Sequence, residues 1–212
     1  MLTIGCHLST KRGYLEMAEE VVSINGNTFQ YFTRNPRGGA QKKINDKDVE
    51  EYRAYAKEHG INVICAYAPY DVEPASSDQD RRDFTLMVLA EDLQRLELIP
   101  GQFYLVRPGS APETPVEAAI KNVSDAFNKS IIKNMSTTML IDTMAGEGNQ
   151  IGYKFEQIAQ MIEGVDYKDK VGVCMDTSAV WAAGYDIVND LDGVLSDFDS
   201  KIGLDKLKAI HL

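Results

Sequence analysis

Val173-Cys174-Met175-Asp176 is an apolar run that ends on a carboxylate. Two further runs follow the same plan: Leu140-Ile141-Asp142 ends on a second carboxylate, and Ala209-Ile210-His211 ends on an imidazole. Such strand ends are typical of β/α-barrels, in which the chemistry lies at the C-terminal ends of the strands. The sequence therefore predicts a site to which Asp142, Asp176 and His211 contribute.

Seven short apolar segments bounded by turn residues or a polar loop predict β-strands. They are Leu2–Leu8, Thr28–Thr33, Ile61–Tyr67, Gln102–Arg107, Thr138–Thr143, Val171–Thr177 and Leu207–Leu212. Between them, apolar residues at helical spacing or helix-start signals predict helices near Tyr14–Val22, Asp46–Glu58, Asp78–Leu98, Pro115–Lys133, Phe155–Ile162 and Asp190–Phe198. Near-continuous apolar strands that alternate with helices are expected in a parallel sheet covered by helices.

The alternation favours a (β/α)8 TIM-type barrel, with a doubly wound sheet as the competing topology. No GxGxxG motif follows the first strand, which disfavours a dinucleotide-binding sheet. A complete barrel takes about 250 residues, whereas this chain has 212 and stops inside or just after the seventh strand. We therefore predict a single barrel domain over residues 1–212 that is truncated near strand seven.

The composition limits the compartment and the partners. No segment is long and apolar enough to span a membrane, no secretory signal is visible, and the three cysteines form no CxxC pair. These features predict a cytoplasmic protein without thiolate metal binding. The net charge of −10 argues against non-specific nucleic-acid binding, although one loop gathers basic residues at Arg34, Arg37, Lys42 and Lys43. That loop is either a local phosphate-binding patch or simply a solvated surface.

Six motifs at successive predicted strand ends carry a resemblance that runs from residue 1 to residue 212. They are Gly5-Cys6-His7-Leu8-Ser9, Phe32-Thr33-Arg34-Asn35-Pro36-Arg37, Ala68-Pro69-Tyr70, Pro108-Gly109-Ser110, Ala145-Gly146-Glu147-Gly148 with Gly152-Tyr153-Lys154-Phe155-Glu156, and Asp176-Thr177 with Ala182-Ala183-Gly184-Tyr185-Asp186. Together they resemble the endonuclease IV family, whose members cut DNA at abasic sites with a cluster of zinc ions. The resemblance implies a TIM barrel and, for the partner, double-stranded DNA with abasic sites.

The resemblance also implies which positions would hold zinc. The first zinc of the family is held by two histidines, and their positions match Tyr67 and Arg107. The bridging glutamate matches Asp142. The second zinc uses positions that match Asp176 and His211 together with a later glutamate, and the third uses a histidine whose position is Ala179. The substituted ligand positions are thus Tyr67, Arg107 and Ala179.

Asp142, Asp176 and His211 remain as three possible donors, enough for at most one divalent metal ion, zinc or manganese. The competing interpretation needs no metal, because Arg107 would then form a buried ion pair with the two aspartates. For DNA contacts, the resemblance implies Arg37 and Tyr70, side chains that probe the abasic gap.

The resemblance therefore implies a DNA-repair scaffold whose relatives cleave the phosphodiester 5′ of abasic sites, with cleavage impaired or absent here because metal ligands are lost. Two alternatives remain open. One is a single-metal sugar isomerase or epimerase on the related xylose-isomerase-like barrel, although its usual fourth carboxylate is missing. The other is a non-catalytic barrel, either an engineered metal-free scaffold or a DNA-binding relic.

Overall fold

The computed structural model describes residues 2–36 and 43–212 and contains a sheet of seven parallel strands. The strands lie in chain order, so each one pairs with the next along the chain. They are β1 (Gly5–His7), β2 (Thr28–Phe32), β3 (Cys65–Tyr67), β4 (Phe103–Val106), β5 (Thr138–Asp142), β6 (Val171–Asp176) and β7 (Leu207–His211). All seven predicted strands are found, each shorter than predicted, and the predicted (β/α)8 TIM-type fold is confirmed over these seven strands.

Helices follow the strands in alternation. They are α1 (Tyr14–Ser23), α2 (Asp46–His59), α3 (Gln79–Leu96), α4 (Val116–Ser130), α5 (Phe155–Glu163), α6 (Thr177–Ala182) and α7 (Leu191–Lys201). The sequence did not predict α6, which begins because the Asp176 side chain accepts a hydrogen bond from the Ala179 amide at 2.9 Å. Among the described residues, no helix is both long and apolar enough to cross a membrane.

The sheet is curled, with one set of side chains inside the curve and another outside. Inside, Tyr67, Leu105, Leu140 and Cys174 form a small buried cluster that is separate from the large core between the sheet and the helices. The curl also brings β7 towards β2, because Nε2 of His211 lies 2.7 Å from Oε1 of Gln30. Side chains from distant strands therefore meet over the inner cluster.

A register shift on β7 decides which of its residues face inwards. Val173 pairs with Leu207, but the next residue, Cys174, pairs with Ala209 instead of Lys208. Leu207 packs on the outer core while Ala209 packs on the inner cluster, whereas a regular strand would place both on one face. The shift aligns Asp176 with His211 and so brings both into one site.

A buried carboxylate on α3 fixes the segment that follows β2. Asp92 accepts hydrogen bonds from the Thr33 hydroxyl at 2.6 Å, from Nε of Arg34 at 2.9 Å and from the Tyr104 hydroxyl at 2.8 Å. Its side chain is fully buried, so these donors replace the water that a charged group would otherwise require. The network ties α3 to β4 and to the start of the loop after β2.

Glu97, which follows α3, holds the segment before β5. Its carboxylate accepts hydrogen bonds from the backbone amides of Ser136 at 2.8 Å and Thr137 at 2.9 Å, and from both hydroxyls. Burial favours the neutral acid, but the hydrogen bonds to the charged form outweigh it and lower the pKa of Glu97 below its usual value. Glu97 therefore stabilises the fold above its unfolded-state pKa, and this contribution is lost as the pH falls through its folded-state pKa.

Replacing Glu97 by Gln should lower the free energy of unfolding at neutral pH, because the hydrogen bonds to the charged carboxylate are weakened. The loss should be only about 1 kcal/mol, since solvent partly screens this carboxylate. The difference from the unsubstituted protein should shrink in acid, where the wild-type carboxylate is protonated as well. Urea denaturation at neutral pH and at about pH 3 measures both values. Glu58→Gln, at an exposed position on α2, is the control and should leave the free energy of unfolding unchanged at both pH values. An equal loss of stability for Glu97→Gln at both pH values would contradict the prediction.

Candidate functional site

A cavity of about 520 Å³ opens at the C-terminal ends of the strands. Seven of the residues singled out in the sequence line it: Tyr67, Tyr70, Arg107, Asp142, Asp176, Ala179 and His211. They converge because parallel strands present their carboxyl ends at the same edge of a sheet. The position of this group agrees with the sequence prediction, while the contacts within it differ in several ways.

Asp142 is the buried carboxylate of the cavity, and its nearest hydrogen-bond donor is the hydroxyl of Tyr67, which donates to Oδ2. The other oxygen, Oδ1, is buried without a hydrogen-bond partner. Burial raises the pKa of Asp142, and burial together with the Asp142 charge raises the pKa of the Tyr67 phenol. Tyr67 therefore stays protonated and acts as a donor to Asp142, which makes it unsuited to replace a metal-binding imidazole.

Two histidines share the side-chain amide of Gln30 on β2. Nε2 of the amide donates to Nδ1 of His7 at 3.0 Å, and Oε1 accepts from Nε2 of His211 at 2.7 Å. Burial, together with His211, lowers the pKa of His7, which suits its role as an acceptor. In neutral His211 this arrangement leaves the lone pair on Nδ1, 3.9 Å from Oδ2 of Asp176.

Arg107 makes no ion pair with Asp142, Asp176 or any other residue that the structure describes. The predicted buried ion pair between Arg107 and the aspartates is therefore wrong. Its guanidinium lies over the Tyr70 ring, 5.1 Å from the centroid, and its Nε is buried without a partner. Tyr67 takes the place at Asp142 that the prediction gave to Arg107.

The donor set fits one metal ion. Ligand atoms of Asp142, Cys174 and His211 lie within 4.8 Å of one another, and the unpartnered Oδ1 of Asp142 is an available donor. Asp176 is not one of these three residues: its Oδ1 caps α6 through Ala179, and its Oδ2 lies 3.9 Å from Nδ1 of His211. A carboxylate, a thiol and an imidazole can hold zinc, whereas Tyr67, Arg107 and Ala179 supply no donors for a second or third ion.

Sequence reasoning missed Cys174 as a possible ligand. It was set aside because it has no CxxC partner, yet it lies two residues before Asp176 and next to Asp142 in the strand register. Residues two apart on a strand share a face, so the alternation could have placed Cys174 in the site. Burial and the Asp142 charge raise the pKa of its thiol, so a metal would have to displace the proton.

The structure describes some of the residues that the sequence predicted to contact DNA and leaves others outside its described residues. Tyr70 stands at the cavity mouth with 54% of its surface exposed and packs edge-on against Phe32. Arg37 and Lys42 lie outside the described residues. Arg34 is held by Glu91 at 2.7 Å and by Asp92 at 2.9 Å. Arg34 is therefore not available to the basic patch considered from the sequence.

Comparison with known proteins agrees with this architecture. The family model for a xylose isomerase-like TIM barrel matches residues 18–212. A protein of Clostridium botulinum named probable endonuclease 4 is 48% identical over 212 residues, which are the whole of this chain and 76% of that protein.

Solved structures share the fold of this chain. The crystal structure of endonuclease IV from Thermus thermophilus matches 98% of this chain and 76% of its own, with a TM-score of 0.84 and 27% identity. A D-tagatose 3-epimerase-like protein matches 99% of this chain and 76% of its own with a TM-score of 0.72, but at 16% identity it shares the fold alone. The chain therefore belongs to the endonuclease IV family of xylose isomerase-like TIM barrels.

Proposed function

We propose that this protein recognises abasic sites in double-stranded DNA, as an endonuclease IV-like repair protein, and cleaves the adjacent phosphodiester poorly or not at all. Support for the substrate comes from relatives at 48% identity that carry the name probable endonuclease 4. The observation that carries the loss of cleavage is the pair at the first zinc position of the family. There, Tyr67 is hydrogen-bonded to Asp142, and Arg107 brings a fixed positive charge.

We infer that the cavity holds at most one divalent metal ion, zinc or manganese. Asp142 and His211 would hold it, with Cys174 or Asp176 as a third ligand. A metal bound there would activate water and polarise a phosphate oxygen. Gln30 orients His211 so that its Nδ1 faces the carboxylates, and Tyr67 keeps Asp142 in place.

Tyr70 and Arg37 are proposed to contact the DNA. The exposed Tyr70 ring at the cavity mouth can stack on a base or enter the gap that a missing base leaves. Arg37 follows the segment that Asp92 anchors through Thr33 and Arg34. We also propose a cytoplasmic location, which suits three cysteines that form no disulfide.

Fluorescence anisotropy with labelled duplexes tests the proposal. A duplex with one central abasic site should bind more tightly than the intact duplex, and binding should weaken as salt is added. Tyr70→Ala should lower the affinity for the abasic duplex by about tenfold, because stacking of one base on an aromatic ring contributes about 1–3 kcal/mol. It should leave the intact duplex nearly unaffected.

Tyr55→Ala removes a tyrosine of α2 that does not line the cavity and should leave both affinities unchanged. Equal affinity of the wild-type protein for abasic and intact duplexes would count against the proposal. Turnover of ketoses by the purified protein would instead favour a sugar isomerase or epimerase.

A further inference from the structure

The cavity contains a positive charge that no described residue holds in an ion pair. The Nε of Arg107 has no hydrogen-bond partner, and its guanidinium lies over the Tyr70 ring and acts on the Asp142 carboxylate only through space. A guanidinium keeps its charge at all physiological pH values and presents donors in a planar fork that matches phosphate. An unpaired guanidinium in a cavity is suited to an anionic ligand.

The same cavity contains two oxygen acceptors without donors. Oδ1 of Asp142 and Oε1 of Gln150 are buried and make no hydrogen bond, although buried polar atoms are almost always paired. Gln150 reaches the cavity on the loop that follows β5. Gly152 closes this loop at a φ of +84°, where an added Cβ would lie 2.8 Å from Cγ of Pro108. A ligand that brings hydroxyl donors would satisfy both oxygens.

A metal ion would complement this set only in part. It could pair with Oδ1 of Asp142 and with the carboxylates of Asp176 and Glu147 that also line the cavity, but it would leave the fixed charge of Arg107 without a partner. A ligand with one phosphate and at least one hydroxyl group complements all three unpaired groups together. The cavity volume of about 520 Å³ lies within the range of small-molecule sites, about 300–1,000 Å³.

We propose that the cavity binds a sugar–phosphate unit without a metal ion, with its phosphate on the guanidinium of Arg107 and its sugar hydroxyls on the unpaired oxygens of Asp142 and Gln150. The identity of this unit as the deoxyribose phosphate of an abasic site rests on the proposed function. Arg107 thereby takes over the holding of the phosphate, which metal ions perform in the family. Tyr70 fixes the guanidinium from the outer side through the contact with its ring.

Calorimetric titration in the presence of a chelator tests this proposal on the purified protein. The probes are 2-deoxyribose 5-phosphate, 2-deoxyribose and inorganic phosphate. The sugar phosphate should bind at least about tenfold more tightly than either part alone, since it contacts both the guanidinium and the two oxygen acceptors. Arg107→Ala should lower the affinity for the sugar phosphate by about 10- to 100-fold, as expected for a charge-assisted hydrogen-bonded contact.

Two variants separate charge from geometry. Arg107→Lys keeps the charge but loses the planar fork, so its affinity should fall between those of the wild type and Arg107→Ala. Gln150→Leu should lower the affinity for the sugar phosphate and leave the affinity for inorganic phosphate unchanged. Arg53→Ala, on α2 outside the cavity, is the matched control, and circular dichroism verifies that each variant is folded.

Unchanged affinity for the sugar phosphate in folded Arg107→Ala would overturn the proposal, as would binding that appears only when metal is added. Failure of this proposal can be distinguished from failure of the proposed function. A wild-type protein that binds deoxyribose phosphate through Arg107 but does not distinguish abasic from intact duplex would support the site and refute the DNA assignment. A preference for the abasic duplex that Arg107→Ala does not change would support the DNA assignment and refute the proposed role of Arg107.

Discussion

Abasic duplex DNA should be nicked by this protein at a rate near the uncatalysed background, because the described residues form only one group of donors close enough together to hold a metal ion. The double substitution Tyr67→His/Arg107→His returns two imidazoles to the first zinc position of the family. It should raise the nicking rate by about a thousand-fold, since a Lewis-acidic ion contributes several kcal/mol to a phosphoryl transition state. Denaturing gel electrophoresis of an end-labelled duplex measures the rate.

The metal content should change together with the rate. Elemental analysis should find at most one zinc or manganese per chain in the wild-type protein and a further ion in the double variant. Tyr55→His/Arg53→His places the same substitutions on α2, outside the cavity, and should change neither value. Efficient nicking by the wild-type protein that stops when chelator is added would show that the site is not impaired.

Loss of the Asp92 carboxylate should have the largest effect on stability among single substitutions at the polar residues described above. Asp92→Ala should lower the free energy of unfolding by about 3–5 kcal/mol, because it removes the buried acceptor that the Arg34 guanidinium and the Thr33 and Tyr104 hydroxyls share. Arg34, whose side chain is 12% exposed, would retain its contact with Glu91. Chemical denaturation followed by circular dichroism measures the change.

Asp83→Ala removes an exposed carboxylate from the same helix and should change the stability by less than about 0.5 kcal/mol. Because the Asp92 network anchors the segment that leads to Arg37, we also expect Asp92→Ala to weaken abasic-duplex binding below the unfolding temperature. A stability loss no larger than that of Asp83→Ala would show that the buried network is not needed for the fold.

The sequence by itself determined the architecture and the location of the site. Short apolar segments separated by helical patterns specify a parallel sheet, because a strand covered by helices is apolar on both faces. Once the strands are parallel, residues that end them must meet at one edge. The convergence of Asp142, Asp176 and His211 therefore followed from local pattern alone.

Only the tertiary structure decided which of these residues contact each other. The one-residue shift between Val173 and Cys174 turns His211 towards the cavity, and no local propensity marks such a shift. Likewise, Tyr67 and Arg107 both end strands beside Asp142, but the phenol reaches the carboxylate while the guanidinium lies on Tyr70. Strand ends are set by patterns within a few residues, whereas pairing depends on curvature, register and side-chain reach across strands, which the sequence order does not encode locally.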